Sequence, residues 1–183
     1  MRKVFLATAF LAATFMGVKA QSGHNQIGVG ADIAIPTGDF GDAFKTGFGG
    51  SIKGLFGIGS AGQITLTTGY TSFKAKDLPS EVDIKSSVIP ILAGYRHNFS
   101  GFYVEPQIGY GIYGSKISGM GSPYDGTDSE GAFTWAAGVG YAMAQGLDVG
   151  ARYQSASKDG SSTSLVGFSV RWNFTLGGAQ ASK

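Results

Sequence analysis

The sequence predicts an all-β protein: an eight-stranded antiparallel up-and-down transmembrane β-barrel, preceded by a cleaved signal peptide. Three observations carry that expectation. Eight runs alternate apolar and polar residues with period two, the mark of strands with two unlike faces. Every charge within those runs falls on one face. Long and short connections alternate along the chain, and every long one follows an odd-numbered run.

Residues 1–20 come first. Arg2 and Lys3 precede an uncharged apolar run from Val4 to Val18, and Val18-Lys19-Ala20 places small residues around a cut before Gln21. This is the layout of a secretory signal peptide, and fifteen apolar residues fall short of the roughly 20 that a membrane-spanning helix needs. Cleavage removes Arg2, Lys3 and Lys19, so fourteen cationic side chains become eleven against twelve acidic ones. The formal charge of +2 thus becomes −1, and nucleic-acid binding, which needs a clustered basic surface, loses its compositional support. With no cysteine in the chain, no disulfide holds the exported protein together.

The eight runs follow in order. Strand one, about 26–35, sets Ile27, Val29, Ala31, Ile33 and Ile35 on one face and Asp32 on the other. Strand two, about 48–58, sets Phe48, Ile52, Phe56 and Ile58 against Lys53. Strand three, about 63–73, pairs an Ile64, Leu66, Thr68, Tyr70 face with Gln63, Thr65 and Thr67. Strand four, about 86–96, sets Ile89, Ile91, Ala93 and Tyr95 against Arg96; it fits least well, because Val88, Pro90 and Leu92 make its second face apolar too. Strand five, about 102–114, opposes Phe102, Val104, Ile108, Tyr110 and Ile112 to Glu105 and Gln107. Strand six, about 131–143, opposes Phe133, Trp135, Val139 and Tyr141 to Thr134 and several glycines. Strand seven, about 147–155, opposes Val149, Ala151 and Tyr153 to Asp148, Arg152 and Gln154. Strand eight, about 163–175, opposes Val166, Phe168, Val170, Trp172 and Phe174 to Arg171 and Asn173.

The 42 positions of the first face hold no charge, whereas the second holds Asp32, Lys53, Arg96, Glu105, Asp148, Arg152 and Arg171. A water-soluble sandwich would also alternate, but its polar face would be a hydrated, highly charged exterior. Seven charges amid threonine and glycine suit the interior of a narrow barrel instead. The uncharged face then meets lipid, where an Arg or Lys at mid-depth costs about 2–4 kcal/mol. Glycine, at 31 of 183 residues against a usual share of about 7%, fits the crowded interior and the turns.

The connections read Pro36–Gly47, Gly59–Gly62, Lys74–Lys85, His97–Gly101, Ser115–Glu130, Ala144–Gly146 and Ala156–Ser162. Short inner turns, longer outer loops and an even strand number describe an outer-membrane barrel. Aromatic residues gather near both strand ends: Tyr95, Phe102, Tyr141, Trp172 and Phe174 at the short-turn end, and Phe48, Tyr70, Tyr110, Phe133, Trp135 and Tyr153 towards the long-loop end. Two such girdles are expected where amphipathic rings meet two lipid–water boundaries.

Several stretches resemble a known family. Ile35-Pro36-Thr37-Gly38-Asp39-Phe40, Gly47–Gly50, Ile89–Arg96 and Phe102–Gly111 are similar to the small outer-membrane β-barrel proteins of Bacteroidota. In architecture these are like the OmpA transmembrane domain and OmpX. The closing Val170-Arg171-Trp172-Asn173-Phe174 resembles the aromatic-ended strand read by the barrel-assembly machinery, with nine residues following. The resemblance implies an outer-membrane location and names no activity.

Candidate sites follow from the inward charges. The expected pairs are Asp148 with Arg171, Arg96 with Glu105 and Asp32 with Lys53, with Arg152 reaching a carboxylate across the lumen. These pairs are expected to plug the barrel; a narrow channel or hydrophobic-ligand conduit is the alternative. A lipid-modifying barrel enzyme is disfavoured, because His24 precedes strand one and His97 is placed in an inner turn, both away from the outer rim. Asp125, Asp128 and Glu130 carry oxygen ligands for a cation such as Ca²⁺, but a solvated acidic loop is the commoner use of such residues. Asn98-Phe99-Ser100 matches a glycosylation sequon by chance in a tight turn.

The expected protein is therefore non-catalytic, with no cofactor and no metal, and structural or adhesion-like in role. Its partners are outer-membrane lipid and lipopolysaccharide, the barrel-assembly machinery during insertion and an extracellular ligand met by the outer loops. It is expected to be a monomer and to bind no nucleic acid.

Overall fold

The computed structural model describes residues 25–76, 83–118, 126–158 and 160–176. Its strands are β1 (Gln26–Thr37), β2 (Gly47–Ile58), β3 (Gly62–Lys74), β4 (Asp83–Phe99), β5 (Phe102–Ser118), β6 (Gly126–Ala142), β7 (Leu147–Lys158) and β8 (Ser161–Thr175). Each pairs antiparallel with the next, and β1 pairs with β8, with Gln26 opposite Thr175 and Thr37 opposite Ser164. The sheet is therefore a closed barrel with no unpaired edge. No helix among the described residues is long and apolar enough to cross a membrane.

The wall separates the two faces as alternation requires. Ile27, Val29, Ile33, Ile52, Ile91, Val139, Phe168 and Val170 are exposed on the outside, while Thr65, Thr67, Thr134, Arg96, Glu105 and Asp148 are buried within. All eleven girdle aromatics named above have outward, exposed side chains. An exterior this apolar is tolerated only where lipid replaces water.

Three features differ from the sequence reading. The strands run further towards the long-loop end than apolar alternation suggests: β4 begins at Asp83 rather than 86, β5 ends at Ser118 rather than 114, and β6 begins at Gly126 rather than 131. The backbone ladder continues through Ser, Thr, Gly and Lys, because its hydrogen bonds need no apolar side chain once the wall has left the bilayer. Lys74, Lys85, Lys116, Asp128, Glu130 and Lys158 accordingly belong to strands, not loops. The first connection also contains a short helix, α1 (Asp39–Ala43), entered through Gly38 at φ 61. At the opposite end, β4 carries His97 within its ladder and the turn narrows to Ser100 and Gly101. Ser100 and Gly101 both have positive φ there (54 and 101).

Candidate functional site

The chemistry of this fold is concentrated in the lumen, which has three layers. Nearest the short turns lies an ionic layer. Glu105, on β5, is its hub: its carboxylate accepts from Lys53 Nζ at 2.7 and 2.8 Å, Thr65 Oγ1 at 2.8 Å, and Gln107 Nε2 at 2.9 Å. Arg96 Nε and Nη2 both donate to it at 3.1 Å. Arg96 then turns its other nitrogen, Nη1, to Asp148 at 2.6 Å, so one guanidinium joins two carboxylates. Tyr103 lies under this guanidinium, 3.6 Å from its ring centroid, and donates its hydroxyl to Asp148 at 2.8 Å. Asn173 Nδ2 donates to the same carboxylate at 3.2 Å.

The network ties β2, β3, β4, β5, β7 and β8 together across the barrel. Its ions are almost free of water: Arg96 is 1% exposed and Asp148 0%. Burial of the two carboxylates is compensated because the accepting capacity of both is filled. Arg171 extends the layer, donating from Nη2 to Ser51 Oγ at 2.9 Å and approaching Asp148 at 3.9 Å and Asp32 at 4.0 Å.

Glycine provides the room. Ideal Cβ atoms at Gly140 and Gly150 would both collide with the Tyr103 hydroxyl, the latter at 2.6 Å. The missing side chains on β6 and β7 form the slot that lets a tyrosine lie flat inside so narrow a barrel.

Above the ionic layer, Gln107 donates to Thr67 at 2.9 Å, and Gln154 donates to the Tyr113 hydroxyl at 3.4 Å. At the long-loop end, Ala34, Phe73, Val88 and Leu165 form an apolar core inside the barrel, with Phe40, Phe44 and Tyr113 packed on it. Phe40 and Phe44 come from α1 and the residue that ends it, and Phe40 meets Phe73 edge-on at 5.2 Å. This cap explains the poor fit of strand four: Val88 faces inward because the lumen is apolar at that height. The cavity between Asp32, Lys53, Glu105, Arg152 and Arg171 measures about 20 Å³, room for a single water molecule.

The structure brings Arg96 and Glu105 together and sets Asp148 directly opposite Arg171. It does not join Asp32 to Lys53. In the β1–β2 register Asp32 faces Gly49 and Lys53 faces Gly28, four residues apart on the strand. Lys53 instead spans the lumen to Glu105. Arg152 lines the cavity but, among the described residues, forms no ion pair within 4.0 Å. Tyr103 and the cap residues Phe73 and Leu165 went unremarked in the sequence, although inward parity marks all three. The contributions of Phe40 and Phe44 depend on α1 and had no such signal.

The remaining candidates disperse. His97 shares a 3.1 Å hydrogen bond with the Tyr95 hydroxyl and packs on Phe99 at 4.6 Å, within the outward aromatic belt. The Asn98 side chain donates to Ala61 O and Gln63 Oε1, both at 3.1 Å, fastening the second turn. His24 and Asp125 lie outside the described residues. Of the other two acids in the suggested cation group, Glu130 pairs with Lys158 at 3.1 Å, and Asp128 accepts from the Ser129 N–H. No cluster of three or more metal-ligating side chains occurs among the described residues.

Comparison with known proteins places this geometry. A family model described as outer membrane protein beta-barrel domain matches residues 6–174. No curated protein matches by sequence. Among solved structures, Ail, the attachment invasion locus protein of Yersinia pestis in complex with the heparin analogue sucrose octasulfate, is similar with a TM-score of 0.64 at 15% identity, over 84% of this chain and 100% of that one. The N-terminal β-barrel domain of Pseudomonas aeruginosa OprF is similar with a TM-score of 0.52 at 18% identity, over 84% and 100% of the two chains. Neisserial surface protein A has a TM-score of 0.52 at 22% identity, over 84% and 97%. At these identities the likeness is one of fold.

Proposed function

The chain belongs to the outer membrane protein beta-barrel domain family, and from that premise we propose that it is a plugged, non-catalytic barrel of the outer membrane with a structural and surface-contact role. The observation that carries the plug is the filled lumen. Within the ionic layer the cavity beside Asp32, Lys53, Glu105 and Arg171 holds about 20 Å³, where a hydrated ion would need a continuous path. An ion entering would have to displace Lys53 or Arg96 from Glu105, leaving charges uncompensated in a region that excludes water.

In this reading residues 1–20 are removed on export, the short turns face the periplasm and the long loops face outwards. The seven inward charges serve the wall rather than a substrate, and the girdle aromatics fix its height in the bilayer. The protein is a monomer inserted by the barrel-assembly machinery, and Ile35–Phe40 and Phe102–Gly111 support its place in the Bacteroidota branch of the family. The likeness to Ail, described with a heparin analogue bound, supports contact with an extracellular ligand through the outer loops.

Planar-bilayer recording of the purified full chain tests the plug. No stable conductance is expected, and a reproducible ohmic step from wild-type protein overturns it. Removing residues 119–125, which connect β5 to β6, and assaying binding to a sulfated polysaccharide surface tests the contact role; unchanged binding after the deletion counts against that loop.

A further inference from the structure

Sheet pairing gathers lysines into a row at the long-loop rim. Lys74 on β3 is the cross-strand partner of Lys85 on β4, and Lys85 is the partner of Lys116 on β5. Lys45 joins the row by donating its backbone N–H to Lys74 O at 2.8 Å. All four are exposed, and they are four of the eight lysines beyond residue 20.

Directly opposed side chains lie about 4.5–5.5 Å apart, where like charges destabilise a sheet. Lys85 pairs with Asp83 at 2.7 Å, and the same carboxylate lies within electrostatic reach of Lys74 and Lys116. Among the described residues Lys45, Lys74 and Lys116 have no carboxylate within 4.0 Å. A row of ammonium groups kept side by side in this way presents several positive charges to one polyanionic ligand.

Its position selects the ligand. Lys74, Lys85 and Lys116 share the outward parity of the lipid-facing residues, so they project from the outside of the wall rather than over the mouth. Lys74 lies four residues beyond Tyr70, and Lys116 four beyond Ile112, both exposed to lipid. Four residues are about 13 Å of strand, or about 10 Å of height at a tilt near 40°. Ser72, Ser87 and Gly114 occupy the intervening row, paired in register. The ammonium groups therefore stand just above the apolar band, at headgroup depth.

We propose that Lys74, Lys85 and Lys116, flanked by Lys45, bind the phosphate groups of an outer-leaflet lipid whose headgroup carries more than one phosphate ester. The inference rests on the outer-membrane placement given above and deepens it by naming the lipid class and the residues. The row holds the lipid beside one sector of the wall, β3 to β5, where it also neutralises the lysines' mutual repulsion.

The test uses the full chain folded into phosphatidylcholine vesicles containing a minor fraction of diphosphorylated lipid A, with retained lipid quantified by mass spectrometry after mild extraction. Wild type and a Lys→Arg triple variant at positions 74, 85 and 116 are expected to retain the lipid. The K74Q/K85Q/K116Q variant is expected to lose about fivefold in retention for each charge removed. Dephosphorylated lipid A is expected not to be retained. Equal retention by the glutamine variant, or of the dephosphorylated lipid, overturns the proposal. Binding of soluble tripolyphosphate or a sulfated oligosaccharide with the same lysine dependence, and without lipid preference, assigns the row to a soluble polyanion and also overturns it. Heat-modifiable gel migration is run on every sample. Failure of wild type to insert and shift overturns the membrane placement itself, an outcome distinct from an inserted barrel that retains no lipid.

Discussion

Glu105→Gln removes one charge while keeping the volume, and the structure sets its cost. The carboxylate accepts six hydrogen bonds: two each from Lys53 and Arg96, and one each from Thr65 and Gln107. The amide replaces one acceptor oxygen with an NH₂ that faces donors, and it leaves Lys53 and half of Arg96 without their counter-charge. Both cations are buried, so no water replaces what is lost. Removing one partner of such a buried pair costs about 3–5 kcal/mol. At about 1.4 kcal/mol per tenfold, that lowers the folded-to-unfolded ratio by a factor of at least about 100. Urea unfolding in micelles, read by gel mobility and tryptophan fluorescence, measures it. The K53M/E105Q double variant is expected to recover about 2 kcal/mol relative to the sum of the single changes, because it removes the stranded ammonium. A Glu105→Gln loss under about 1 kcal/mol, or strictly additive single and double variants, would refute the reasoning that this network holds the barrel together.

Three further predictions concern other parts of the wall. Val139→Arg places a cation on the lipid face between the girdle residues Trp135 and Tyr141; it should cost about 2–4 kcal/mol in bilayers, and a loss within about 0.5 kcal/mol would mark an ordinary water-facing surface. Phe73→Ala empties the centre of the apolar cap and should cost about 3–5 kcal/mol in the same unfolding assay; under the proposed plug no stable conductance appears, since the ionic layer beneath is left intact. Gly150→Ala crowds the Tyr103 hydroxyl, the nearest atom to the added Cβ at 2.6 Å, and should cost about 1–3 kcal/mol. Combining it with Tyr103→Leu should remove most of that extra penalty, and a penalty unchanged in the double variant would show that the clash lies elsewhere.

How much of this was legible in the sequence differs from residue to residue. Parity alone put Arg96, Glu105 and Asp148 inside and Tyr95, Phe102 and Trp172 outside, because successive side chains on any strand point to opposite faces. Apolar alternation underestimated β4, β5 and β6 at their outer ends, since a strand in water needs only its ladder. The Asp32–Lys53 pairing failed for another reason. Register across the first hairpin depends on how residues 38–46 fold around α1, and a shift of a few positions separates two charges by many ångströms.

Local chemistry thus determined the class of the protein: a closed wall with a lipid face, a polar inside and alternating connections, all consequences of a two-residue period repeated eight times. The tertiary structure decided who meets whom. Lys53 finds Glu105, Arg96 joins two carboxylates over Tyr103, and four lysines from distant stretches align on one rim. The contacts across the lumen exist only once closure has brought distant strands face to face, the lysine row follows from the registers of two successive hairpins, and no single strand carries that information.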